Sequence, residues 1–154
     1  MGKFYNSESD NTLIPRAIRD HLNAWPDKPV SISVEDTGKQ LPAMMVQQLA
    51  AAEKKKTYIN GSYIGVVNFA VYVAIDAEDT ASRLDALAVL SDLGAWLEER
   101  DGSGHYTNLP ALGEERKATS ITITSTPSLT ARLEDGTEEY QALFALEYKY
   151  SPRR

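Results

Sequence analysis

The chain has 154 residues, with 16 lysines and arginines against 22 aspartates and glutamates, a formal charge of −6, and no cysteine. That length makes one ordinary domain; the missing cysteines exclude disulfide frameworks, thiolate metal sites and thiol nucleophiles, and the acidity disfavours a phosphate-clamping DNA binder. A hydrophobic fraction of 42% with 25% charged residues excludes wholesale disorder, and no apolar stretch approaches the roughly 20 residues of a bilayer span.

The polar start, Met1-Gly2-Lys3-Phe4-Tyr5-Asn6-Ser7-Glu8, lacks the apolar segment of a secretory signal, so export through a cleaved signal is not expected. Residues 1–154 are expected to form a single domain, with 1–10 and 151–154 as loosely tied ends. The acidity is uneven: residues 1–77 hold 8 basic and 8 acidic side chains, and residues 78–154 hold 8 and 14. One surface should therefore be negative.

From Asn11 or Thr12, each a possible N-cap, apolar residues recur at Ile14, Ala17, Ile18, Leu22 and Trp25, which predicts an amphipathic helix ending before Pro26. His21 falls on its apolar stripe and Arg16, Arg19, Asp20 and Asn23 on its polar face. Residues 30–34 alternate as a half-buried strand. Residues 44–49 suit a helix or a strand, and a strand is preferred between Pro42 and the hairpin that follows.

That hairpin is the strongest local signal. Lys54-Lys55-Lys56-Thr57-Tyr58-Ile59 leads into Asn60-Gly61 and then an apolar run through Ile75, and Asn-Gly predicts a type I′ turn. In the second arm Val67, Phe69, Val71, Val73 and Ile75 share one face, and the opposite face is mixed and free to meet a partner. Asp79 or Thr80 opens a long helix to about Arg100, with a core stripe of Ala86, Val89, Leu90, Leu93, Trp96 and Leu97. Leu84, Leu87, Ala88 and Ala95 make it more apolar all round than one covered face requires. Glu98-Glu99 carry the wrong sign for the C-terminal dipole and hint at a partner or at selection for a negative surface.

A long loop runs from Asp101 to about Lys117 and contains His105 and Tyr106. Residues 120–124 and 128–133 read as two short strands, Glu134-Asp135-Gly136-Thr137 as a turn, and residues 140–150 as the last strand. The sum is an α+β domain: a largely antiparallel or mixed sheet of six or seven strands with two helices on one face.

No phosphate loop, nucleophile elbow, zinc-protease helix or nucleotide fingerprint occurs, and His21 and His105 stand in no ligand spacing. No catalytic, cofactor or metal site is expected. Acidic pairs such as Asp135 with Glu138, or Glu114 with Glu115, read as solvated loop carboxylates. The different-class alternative is a small enzyme using His105. Lys54, Lys55 and Lys56 could touch phosphate or an acidic partner, or guard a sheet edge against pairing.

The order of elements carries a resemblance. Tyr58-Ile59-Asn60-Gly61-Ser62-Tyr63-Ile64, the strand Phe69-Ala70-Val71-Tyr72, the helix end Leu93-Gly94-Ala95-Trp96-Leu97-Glu98, and Leu109-Pro110-Ala111-Leu112-Gly113 together resemble the tail terminator or minor capsid (head–tail joining) proteins of siphophages and their prophages. The similarity spans about residues 12–150, with longer segments at 50–53 and 102–107. It implies a non-enzymatic structural protein without cofactor, assembled in the bacterial cytoplasm and carried in the virion. There it would form a homo-hexameric ring at the head-proximal end of the tail, stopping tube growth and offering the head its attachment surface. The implied partners are further copies of the chain, the tail tube protein and a head-completion or connector protein. DNA would pass through without specific binding, eased by lumenal carboxylates, and no membrane is involved. Another connector or neck protein of the same particle is the near alternative. Interface candidates are Lys54, Lys55, Lys56, Tyr58 and Tyr63 in the hairpin, and His105, Tyr106, Glu114, Glu115 and Arg116 in the loop.

Overall fold

The computed structural model of the chain describes residues 10–34, 41–76 and 80–152. Its elements in chain order are helix α1 (Asp10–Asn23), strands β1 (Ile32–Val34), β2 (Ala43–Gln48), β3 (Glu53–Thr57) and β4 (Tyr63–Asp76), helix α2 (Thr80–Leu97), and strands β5 (Arg116–Arg132) and β6 (Thr137–Tyr150). The strands form one six-stranded sheet in the order β1-β2-β4-β6-β5, with β3 also on β4. Among the described residues, only the β1–β2 pair is parallel. The fold is α+β, as its sequence pattern predicts.

β4 and β6 are the spine, paired over all 14 residues of each from Tyr63↔Tyr150 to Asp76↔Thr137. β2 takes one half of β4's other edge and β3 the remaining half. The inward face of the spine carries Val67, Phe69, Val71, Phe144, Leu146 and Tyr148, all fully buried, with the Phe69 and Phe144 rings stacked at 5.3 Å. Both helices cover this face. α1 seals it with Ile14, Ile18 and Leu22, and α2 with Ala86, Leu90, Leu93 and Leu97; each fully buried leucine contributes about 2 kcal/mol of apolar transfer. Among the described residues, no helix lies on the other face.

Asn23 fixes β1 against α1 by donating to the Ile32 carbonyl at 2.8 Å and accepting the Ile32 N–H at 2.9 Å. Asn11 is not a cap: its Oδ1 accepts from the Ala52 N–H at 2.8 Å and from Gln48 at 3.0 Å, so it tethers the β2–β3 link to α1. The helix is already formed at Asp10, which places Pro15 in its second turn.

Three sequence expectations are corrected. The Asn60-Gly61 turn is a three-residue loop, because the Gly61 N–H bonds the Tyr58 carbonyl, the Tyr58 N–H bonds the Ser62 carbonyl, and Gly61 follows at φ 91°. Leu133 to Thr137 repeats it with Gly136 at φ 93°. The strands expected at 120–124 and 128–133 are one strand, β5, which absorbs Pro127 at a register irregularity between Ser125 and Ser128; an edge strand tolerates the missing N–H. Glu98 has its partner within the chain: its Oε2 accepts the Ile123 N–H at 2.7 Å, beside another irregularity between Ile123 and Ser125. Asp79, one expected helix start, and the terminal residues 1–9 and 153–154 lie outside the described residues.

Candidate functional site

The expected interface residues fall into two groups. At the hairpin end of the sheet, β3 is exposed along its whole length, and a bulge between Lys54 and Lys56 makes Lys55 the extra residue. Lys55 Nζ pairs with Glu147 Oε2 at 3.0 Å. Lys54 Nζ sits 4.7 Å from the centre of the Tyr63 ring, and Lys56 Nζ 5.4 Å from that of Tyr58. Ile59 at the tip is fully exposed.

Tyr63 and Arg116 belong to the interior of this end rather than to its surface. Arg116 Nε donates to Asp10 Oδ1 at 2.6 Å, the Tyr63 hydroxyl donates to Asp10 Oδ2 at 2.6 Å, and the Tyr148 hydroxyl donates to the same oxygen. Burial works to raise the Asp10 pKa, but the hydrogen bonds from Tyr148, Tyr63 and Arg116, with the guanidinium charge, together hold it below the usual carboxylate range. Burial and the Asp10 carboxylate push both tyrosine hydroxyls up. The cluster is a clamp that ties the start of α1 to β4, β5 and β6. Glu115 is close by, its carbonyl accepting the Ser151 N–H at 2.8 Å, so the fold brings the residues around 115 to the hairpin.

His105 and Tyr106 lie in the loop beyond α2. Asp101 Oδ1 accepts the N–H groups of Ser103 at 2.8 Å and His105 at 3.0 Å, and these backbone bonds lower its pKa. The His105 side chain is 81% exposed, with Nδ1 3.8 Å from Asp101 Oδ2. No nucleophile or second base is in hydrogen-bond reach of it in the contacts described. Arg100 donates to the Tyr106 hydroxyl at 2.6 Å and its guanidinium lies 4.4 Å from the ring centre. His21 is packed: its ring stacks on Trp96 at 4.9 Å and its Nε2 lies 2.7 Å from the Asn108 carbonyl, which requires the proton on Nε2. Burial lowers its pKa against the opposing effect of that bond.

Sequence reasoning missed the Asp10 cluster and a second buried charge cluster at Glu138. Glu138, read as a solvated loop carboxylate, is 3% exposed. Arg83 Nε lies 3.1 Å from its Oε1, Arg132 Nε 3.0 Å from its Oε2, and the Tyr140 hydroxyl donates to Oε1 at 2.8 Å. It joins α2 to β5 and β6 at the opposite end of the sheet. Only its position on the inward face of β6, in phase with Tyr140, marked it. No group of three or more acidic or histidine side chains able to hold a metal occurs among the described residues.

No family model and no curated protein matches the sequence. Among solved structures, 26 chains match. One of them, from "Virion of native gene transfer agent (GTA) particle", superposes with a TM-score of 0.55 at 15% identity, over 93% of this chain and 99% of that one. At that identity the likeness is one of fold.

Proposed function

We propose that the chain is a phage-type virion protein of the tail-terminator kind. In this reading it forms a homo-hexameric ring on the head-proximal end of the tail, stops tube growth against the tail tube protein, and presents the head-completion or connector protein with its docking surface. The observation that carries the reading is the end-to-end fold correspondence with a chain of a gene transfer agent virion, over 93% of one chain and 99% of the other. The surface agrees with it: the His105 side chain is exposed, with the Asp101 carboxylate beside it, and the buried charges at Asp10 and Glu138 are spent on joining helices to the sheet.

The test is electron microscopy of lysates from the parent phage or prophage with this gene deleted. Overlong, head-free tails beside filled heads are the expected result. Normal-length unattached tails would transfer the protein to a neck or joining role, and intact particles would remove it from assembly. For the small-enzyme alternative the variant is His105→Ala: unchanged assembly with a lost turnover would support that alternative.

A further inference from the structure

The hairpin end carries a row of like charges for which the fold supplies one aromatic partner, the Tyr58 ring, with Lys56 Nζ 5.4 Å and Lys149 Nζ 6.0 Å from its centre. Register places Lys56 opposite Ile64, Ile64 opposite Lys149, and Lys149 opposite Lys117. Directly opposed residues share a face, so three lysines lie in one row across β3, β4, β6 and β5, on the face that the helices leave open. With strands about 4.8 Å apart, the row spans about 14 Å. Lys117 and Lys149 are immediate cross-strand neighbours, an arrangement of like charges that destabilises a sheet. All three are exposed, and no ion pair with them occurs among the described residues. Lys55, on the same strand as Lys56, is held by Glu147.

The other end of the same sheet has the opposite sign. Glu139 lies ten residues from Lys149 along β6 and on the same face, about 34 Å away. Asp76 ends β4 beside it, and Glu134 and Asp135 form the β5–β6 turn. Arg83 and Arg132, the cations at this end, are both engaged by the buried Glu138.

We propose that the lysine row of one copy docks against the acidic turn end of a second copy of this chain, formed by Asp76, Glu134, Asp135 and Glu139. The inference rests on the ring reading above and names the contact that builds the ring. Two different patches meet, so the contact is heterologous, and such contacts close into rings when the rotation permits. Copies carrying −6 each repel one another, and the local complementarity of this pairing offsets that repulsion. It also takes the lysines out of reach of any DNA in the lumen.

The experiment uses two variants of the full chain. One reverses the row, Lys56→Glu with Lys117→Glu and Lys149→Glu; the other reverses the turn, Glu134→Lys with Asp135→Lys and Glu139→Lys. Circular dichroism melts establish that both are folded, and sedimentation at rising protein concentration and low salt reads assembly. Wild type should associate, and each variant alone should need a concentration more than about 100-fold higher; the turn variant decides, because its reversals cancel the formal charge of −6, and general repulsion alone would make it associate more readily than wild type. An equimolar mixture should recover assembly, because every reversed row then meets a reversed turn in an alternating ring. Wild type that stays monomeric at its highest soluble concentration overturns the proposal, as do folded variants that assemble normally or a mixture that fails to recover. Duplex DNA is the control ligand: binding by wild type that the row variant loses, with association unchanged, assigns the row to phosphate and overturns the contact. Failure here leaves the deletion phenotype untouched, and a deletion without a tail defect leaves the sedimentation result untouched, so the two readings fail separately.

Discussion

Gly65 shows how much one residue can carry in this sheet. It pairs with Tyr148 across the β4–β6 spine, and a Cβ built there would lie 2.4 Å from the Tyr148 Cζ. The ring needs that space to lie across the strand and bring its hydroxyl to Asp10. Gly65→Ala should therefore displace the ring, disturb the clamp at the start of α1 and destabilise the fold by about 3 kcal/mol, or roughly 10 °C in Tm. Gly94→Ala makes the contrast: its Cβ would meet Ile123 at an ordinary 3.5 Å within a helix, and a gain of about 0.5–1 kcal/mol is expected. Urea unfolding of the two variants measures both. The clamp also has a pH signature. The Asp10 pKa is depressed in the folded chain, so its contribution is complete above the unfolded value of about 3.9 and is lost as pH falls through the lower folded value. The stability gap between wild type and Asp10→Asn should be constant at neutral pH and shrink below about pH 4. A gap that stays constant down to pH 2 would show that Asp10 is not held as a carboxylate.

At the level of elements, α2 and the β5 edge are held together by Glu98 as well as by apolar contact. Its carboxylate occupies the place of a strand partner for the Ile123 N–H. Glu98→Ala should strand that half-buried donor and cost about 1–3 kcal/mol, whereas Glu98→Gln, which keeps an acceptor, should cost less than half as much; hydrogen exchange at the Ile123 amide reads the difference directly. This bond also shows what the sequence could and could not disclose. Periodicity makes both helices, β4 and β6 legible, because each buries one face and repeats at its own spacing, whereas β3, exposed throughout, is legible only through the Asn60-Gly61 turn that follows it. Glu98 looked like a misplaced charge because its partner is 25 residues away. By its sequence neighbours Asp10 belongs to a loose terminus, because Arg116, 106 residues on, and Tyr148, 138 residues on, complete its site. β5 was divided at Pro127 because local propensity reads proline as a stop, whereas an edge strand can carry it through a bulge. The hairpin lysines were visible as a run, but their alignment with Lys117 and Lys149 is a property of register that no local window contains.

Across the whole molecule, two electrostatic effects compete when copies approach. Net charge repels at long range, with −6 on each copy, and salt weakens that repulsion. A lysine row meeting an acidic turn attracts at short range, and salt weakens that attraction too. The sign of the salt dependence therefore tells which one governs association. The Debye length falls from about 14 Å at 0.05 M to about 4 Å at 0.5 M, against roughly 34 Å between the two patches on one copy, so the attraction is felt only by the copy in contact. If copies meet through the proposed contact, which sets opposite charges against each other, the concentration needed for half-assembly should rise severalfold between about 0.05 M and 0.5 M salt. A fall over that range would mean that general repulsion dominates and that apolar or backbone contacts close the assembly. The measurement needs only the wild-type chain and reads the balance without any substitution.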